Sequence, residues 1–296
     1  MSSTRHTPQS LSALLDEEQR RHDAWLQTIR GLVDDSRGLR LTPRAADGSN
    51  DDDDGKHADP PGVLGSLRRR LRGRPKPKVR RSVEDALRGR IETALKETKK
   101  ASLLVDRFAA LRDGLFADLE RLHQHIHDAN AFDAAAAAAI VQARVRQDDV
   151  SLEERERDRA REQRSRAERQ QELAHRAGER LGVLVVSARG LLDVIETLSV
   201  DVASFARAAE RQLDGLSARA RALGVVEDAA SVVDELERSL LTLSGSLDDV
   251  TVFASAVHER VTAQTSATGL ADALDTLVKG ALARRAATAA REQAQD

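Results

Sequence analysis

From residue 160 to residue 223 an apolar side chain returns at every seventh position: Ala160, Ala167, Ala174, Leu181, Ala188, Ile195, Val202, Ala209, Leu216 and Leu223. Ala177, Leu184, Leu191, Leu198 and Phe205 supply the alternate position from Ala177 onward. A heptad kept over this length has no counterpart in a strand, and it forces a left-handed supercoil against at least one neighbouring helix. A second seam runs Ile91, Ala94, Thr98, Ala101, Val105, Phe108, Arg112, Leu115, Leu119, Leu122 and Ile126, interrupted at Thr98 and Arg112. A third runs Val233, Leu236, Leu240, Leu243, Leu247, Val250, Ala254, Val257 and Val261, followed by a short one at Leu270, Leu274, Leu277 and Ala281. Near the start, Leu11, Leu15, Trp25, Ile29 and Leu32 keep a 4-3 spacing, with Glu18 and His22 in the seam positions between them. The expected fold is all-α: an elongated antiparallel helical bundle or coiled coil, closed within one chain or by a dimer.

Composition agrees with narrow seams and not with a broad core. Aromatic residues make up 2% of the 296 and charged residues 32%, whereas aromatics usually supply much of a globular core. With no cysteine, disulfides, thiol catalysis and Cys-ligated zinc are excluded, which fits a reducing compartment. The opening MSSTRHTPQSLSALLDEEQ has neither the basic nor the long apolar region of a signal peptide, and no run approaches 18 consecutive apolar residues. The expected location is cytoplasmic.

Punctuation divides the chain. Residues 1–41 are an N-terminal helix opened by Thr7-Pro8 and ending near Gly38. Residues 42–81 are a disordered linker, rich in turn formers, with an acidic run at Asp51 to Asp54 followed by a basic segment. Residues 82–130 are a second helix, started by a Ser82–Asp85 capping box and closed by a turn at Asp128-Ala129-Asn130. Residues 131–223 are a long helix restarted by the alanines 134–139. Its charged first half, SLEERERDRAREQRSRAERQQE, is expected to stand as a lone solvated helix held by i,i+4 pairs such as Glu153–Arg157 and Glu162–Arg166. Gly224 is the next break, and 225–292 are C-terminal helices parted by a turn at 265–269.

The basic segment is the most informative candidate site. Arg68, Arg69, Arg70, Arg72, Arg74, Lys76, Lys78, Arg80 and Arg81 follow Val63, Leu64, Leu67 and Leu71, an apolar face that would lie on an anionic membrane surface. The same charges suit a phosphate backbone, but no aromatic is interleaved to stack on bases, and Pro75 and Pro77 interrupt any recognition helix. A solvated linker balanced by nearby acid is the third reading.

Other patterns are weaker. Glu120-x-x-His123 and Glu172-x-x-His175 match the Glu-x-x-His pattern of di-iron bundles, and His123, His125 and His127 cluster. Their seam neighbours Leu119, Leu122 and Ile126 place Glu120 and His123 on the flank, so a solvated face is expected, with no metal ligands and no cofactor assigned; a metal-binding helical bundle is the alternative reading. The acidic run fails as a calcium loop. With Asn50 at its first position, Pro61 stands where the bidentate Glu belongs. No phosphate loop, dinucleotide fingerprint or nucleophile elbow is present, so no enzyme activity is expected. Trp25 lies in a seam and is expected in the core.

One arrangement resembles a known family. Gly62-Val63-Leu64-Gly65-Ser66-Leu67 leads into the basic segment, and the second helix carries Leu103-Leu104-Val105-Asp106 and Phe108-Ala109-Ala110-Leu111. Over 62–130 this is similar to the toxic-anion (tellurite) resistance TelA-like proteins. Membership would imply a cytoplasmic bacterial helical protein linked to toxic-anion stress, with no catalytic residues. The residues themselves point to a non-enzymatic coiled-coil scaffold for protein–protein interaction. Its seam, notably Val233, Leu236, Leu240, Leu243, Leu247, Val250 and Val257, would meet a second copy or another helical protein. Its basic segment would hold it at an anionic surface, peripheral to a membrane.

Overall fold

In a computed structural model the chain is all-α, and the structure describes residues 8–41, 77–222, 229–263 and 267–293. Those residues form α1 (Pro8–Arg37), α2 (Pro77–Asp148), α3 (Glu154–Ala222), α4 (Ala229–Ala263) and α5 (Ala267–Gln293). The acidic run, the glycine-containing segment from Gly62 and the Gly224 break lie outside the described residues.

Proline sets two of the starts. Pro8 opens α1 and Pro77 opens α2, because a first-turn position has no N–H partner to lose and suits the fixed φ of proline. The second helix therefore begins five residues before the expected capping box, and Ser82 lies inside it. Lys78, Arg80 and Arg81, expected in the linker, belong to its first turns. α1 ends where Gly38 N–H reaches the carbonyls of Asp34 (3.0 Å) and Asp35 (3.2 Å), after which Leu39 and Leu41 are buried.

The turn expected at Asp128-Ala129-Asn130 is absent, and α2 runs through it for 72 residues in all. Asp128 accepts a hydrogen bond from Gln124 one turn back (3.0 Å), and Ala129 is fully buried. A short polar cluster yields here to a seam alanine backed by strong helix formers. The real break is at 149–153. There the Asp149 carboxylate accepts Ser151 N–H (2.9 Å) and the Ser151 hydroxyl (2.6 Å), an Asx turn that reverses the chain.

That reversal makes α2 and α3 an antiparallel helical hairpin. Its register is fixed where Arg189 meets His123 and where Gly178 lies against Asn130. In this register Ala143 faces Ala167, Ala136 faces Ala174 and Ala129 faces Leu181, and all six are buried. The charged half of α3 is thus not a lone helix. Ala160, Ala167 and Ala174 form one side of an alanine seam, and small side chains let the two backbones approach closely. The α2 seam also departs from expectation. Leu104 and Leu111 are buried, whereas Arg112 is exposed and pairs with Asp113 (2.9 Å).

Beyond Leu181 burial on α3 widens to include Val185, Ser187, Leu192 and Val194, since more than one helix covers it there. On α4, Leu243, Leu247, Val250, Phe253, Ala254, Val257 and Val261 are buried. Leu240 is half-buried, and the side chains of Val233 and Leu236 lie outside the described residues. Arg238–Ala263 is long and apolar enough by length and composition to cross a membrane, with a third of its most apolar window (33%) buried in the fold. Its apolar residues are largely this packed stripe.

The chain forms two compact units. One comprises Met1–Gly31, Ala110–Glu196 and Val257–Asp296, the other Leu32–Ala109 and Thr197–Ala256.

Candidate functional site

Within the first unit, the two polar residues that interrupt the α1 seam are buried: Glu18 is 4% exposed and His22 6%. Positions 18, 22 and 25 share one face of α1. They meet Asp118, Arg121 and His125 of α2 and Ser187 of α3, and together build a polar centre inside a helical core.

Arg121 organises it. Its Nε and Nη2 donate to Glu18 Oε1 (3.0 Å) and Oε2 (3.1 Å), a two-pronged ion pair, and its Nη1 donates to Asp118 Oδ1 (2.6 Å). The other Asp118 oxygen accepts the Trp25 indole N–H (2.6 Å). Burial works to raise the Asp118 carboxyl. The hydrogen bonds from Arg121 and Trp25, with the charges of Arg121 and Arg21, outweigh it and hold the group below the ordinary carboxylate range. The hydrogen bond to Glu18, helped by Asp118 and only partly opposed by burial, raises the Arg121 guanidinium further.

The histidines complete the centre. His22 Nε2 and the fully buried Ser187 hydroxyl share a hydrogen bond of 2.8 Å, while His22 Nδ1 is buried without a hydrogen-bond partner. Burial lowers the His22 imidazole below 6.5, with Asp23 pulling the other way. His125 Nε2 lies 3.6 Å from Glu18 Oε1, and its Nδ1 is likewise buried and unbonded. Trp25 itself is half-buried. Its ring lies so close over Gly114 that a Cβ there would stand 2.7 Å from Cη2.

The residues singled out by sequence fall elsewhere. Arg68, Arg69, Arg70, Arg72, Arg74 and Lys76 lie outside the described residues, and the side chains of Lys78, Arg80 and Arg81 are likewise not described. Glu120 and His123 are exposed. His123 Nδ1–H donates to the Leu119 carbonyl (2.7 Å), which leaves Nε2 to accept from Arg189 (3.1 Å). His175 pairs with Glu179 (3.3 Å) and Glu172 with Arg176, all on solvent-facing surface. Among the described residues no three His, Asp or Glu side chains converge as metal ligands. Of the described α4 seam residues, Leu243, Leu247, Val250 and Val257 are buried and Leu240 is half-buried.

Open grooves are present among the described residues. One, of about 410 Å³ in the second unit, is bordered by Asp35, Leu39, Leu103 and Arg107, with Asp35 and Arg107 ion-paired at 2.5 Å. Another, about 290 Å³, follows the alanine seam between Gln142, Arg146, Gln163 and Arg166. Neither gathers convergent groups of perturbed acidity. No family model matches the chain, nor does any curated protein or solved structure.

Proposed function

We propose that this chain is a non-enzymatic helical scaffold, held at an anionic membrane surface by its basic segment and presenting the α2–α3 hairpin to protein partners. The observation that carries the reading is the way the hairpin divides its side chains. The seam alanines Ala136, Ala143, Ala160 and Ala167 are consumed within the chain, while Val141 (62% exposed), Val145 (66%) and Val150 at the tip (86%) stay on the surface. A hairpin that needs nothing from a partner to close its seam, yet shows valines outside, is a presenting arm.

The basic segment supports the attachment. Nine Lys and Arg between 68 and 81 run directly into the start of α2, and each adds about 1 kcal/mol near an anionic leaflet. A tether at the base of a long helix would set the arm's footing on that surface.

Flotation with neutral and with phosphatidylserine-containing vesicles tests the attachment, at low and high salt, beside a variant lacking 62–81. Binding to anionic vesicles alone, weakened by salt and lost in the variant, is expected. Equal binding to neutral vesicles, or binding that survives the deletion, overturns it. Retention on duplex DNA with no vesicle binding would move the same charges to a nucleic-acid role.

A further inference from the structure

The buried His22 is not used by anything in the proposed scaffold role, and its surroundings are built for its neutral form. Its Nε2 is engaged by the Ser187 hydroxyl of α3 at 2.8 Å, and its buried Nδ1 meets no acceptor. A neutral ring offers one N–H, which fits one bonded and one bare nitrogen. A protonated ring must place a second N–H and a full charge in the same space.

The charges facing that ring would not absorb the proton's charge. On α1, Asp23 Oδ1 lies 3.9 Å from Nδ1, beyond hydrogen-bond reach, and its side chain is mostly in solvent (58% exposed). Glu18, one turn before His22, is already held by both prongs of Arg121. On α2, Asp118 is taken by Arg121 and Trp25, Arg121 is itself a cation, and His125 faces Glu18 from 3.6 Å. On α3, Ser187 is neutral, and Arg189, two residues on, is spent on His123.

We propose that the first-unit part of α1 is an acid-released latch, in which protonation of His22 loosens α1 from α2 and α3. Burial holds the His22 imidazole below its ordinary 6.5, in keeping with this geometry. The sign follows. A folded-state value below the unfolded one gives stability that is fully present above about pH 6.5 and is lost as pH falls through the lowered value.

Trp25 is the chain's single tryptophan and sits on the latch, so its emission reports α1 docking. Full-length protein is titrated from pH 8 to pH 5, with amide exchange followed in parallel and corrected for its intrinsic pH dependence. Emission should shift to the red, and corrected exchange across 11–31 should rise at least tenfold while 160–180 stays constant. In His22→Gln, which keeps a donor for Ser187 and cannot charge, both changes should vanish, and in His125→Gln they should persist. A pH-independent wild type, or a His22→Gln protein that still responds, overturns the latch. Should His22→Gln fail to fold, imidazole NMR of the wild type decides: the His22 midpoint must coincide with that of Trp25 emission, and distinct midpoints overturn the proposal.

Discussion

Glu18 is a carboxylate 4% exposed in a helical core, tolerable only because Arg121 meets it with two hydrogen bonds. Removing one member of such a pair leaves an uncompensated buried charge, whereas replacing both with apolar residues is often neutral. Arg121→Met should therefore cost about 3 kcal/mol, and the double variant Glu18→Leu with Arg121→Met should regain most of it in urea titrations. A double variant as unstable as the single would show that the pair supplies net stability. Gly114 gives a second prediction. A mid-helix glycine is about 1 kcal/mol worse than alanine, yet here a Cβ would strike the Trp25 ring at 2.7 Å. Gly114→Ala should shift Trp25 emission to the red and fail to stabilise; a gain of about 1 kcal/mol with unchanged emission would contradict the packing. The α1 side of this centre is legible in the sequence, since Glu18 and His22 break a seam that Leu15 and Trp25 otherwise keep. Its other half is not. Asp118, Arg121 and Ser187 lie beside their own seams, and only the register of three helices, at separations of 93 to 165 residues, brings them to α1.

At the scale of elements, periodicity located the helices well and their ends poorly. Seven-residue spacing is an averaged signal along many turns, so the third seam and the alanine series were readable. Ends depend on single residues in competition. Asp128-Ala129-Asn130 has turn-forming chemistry, but Ala129 sits in a buried seam position where helix is worth more, and Asp149 wins the turn because its carboxylate finds both the backbone and the hydroxyl of Ser151. The heptad rule also counts only the two inner positions. It therefore missed Leu111, Val185 and Ser187, which become core when a helix is covered from two sides. Ala129→Pro distinguishes the two accounts of α2. In an uninterrupted helix it should cost about 3 kcal/mol or more, seen as a lowered thermal midpoint by circular dichroism, whereas at a turn it would be nearly neutral. On α4, Leu247→Asp should lower stability by several kcal/mol, since a carboxylate replaces a side chain 5% exposed. No loss would mean the stripe faces solvent.

At the scale of the whole molecule, the apolar stripes that sequence left to be closed within one chain or by a partner are in large part buried within the chain. Leu243, Leu247, Val250 and Val257 are buried, whereas Val141, Val145 and Val150 of the hairpin stay exposed. The scaffold reading depends on that internal closure, because a chain whose seams were filled by a second copy would present a different surface. Cysteine pairing tests it directly, as the chain contains no cysteine of its own. Ala136→Cys and Ala174→Cys place one thiol on each helix, at positions that the hairpin register sets opposite each other. Mild oxidation of the double variant should give a disulfide inside single chains, with protein that migrates as a monomer on non-reducing gels at all concentrations. A covalent dimer that grows with concentration, or two thiols that never pair, would contradict the fold and the function drawn from it.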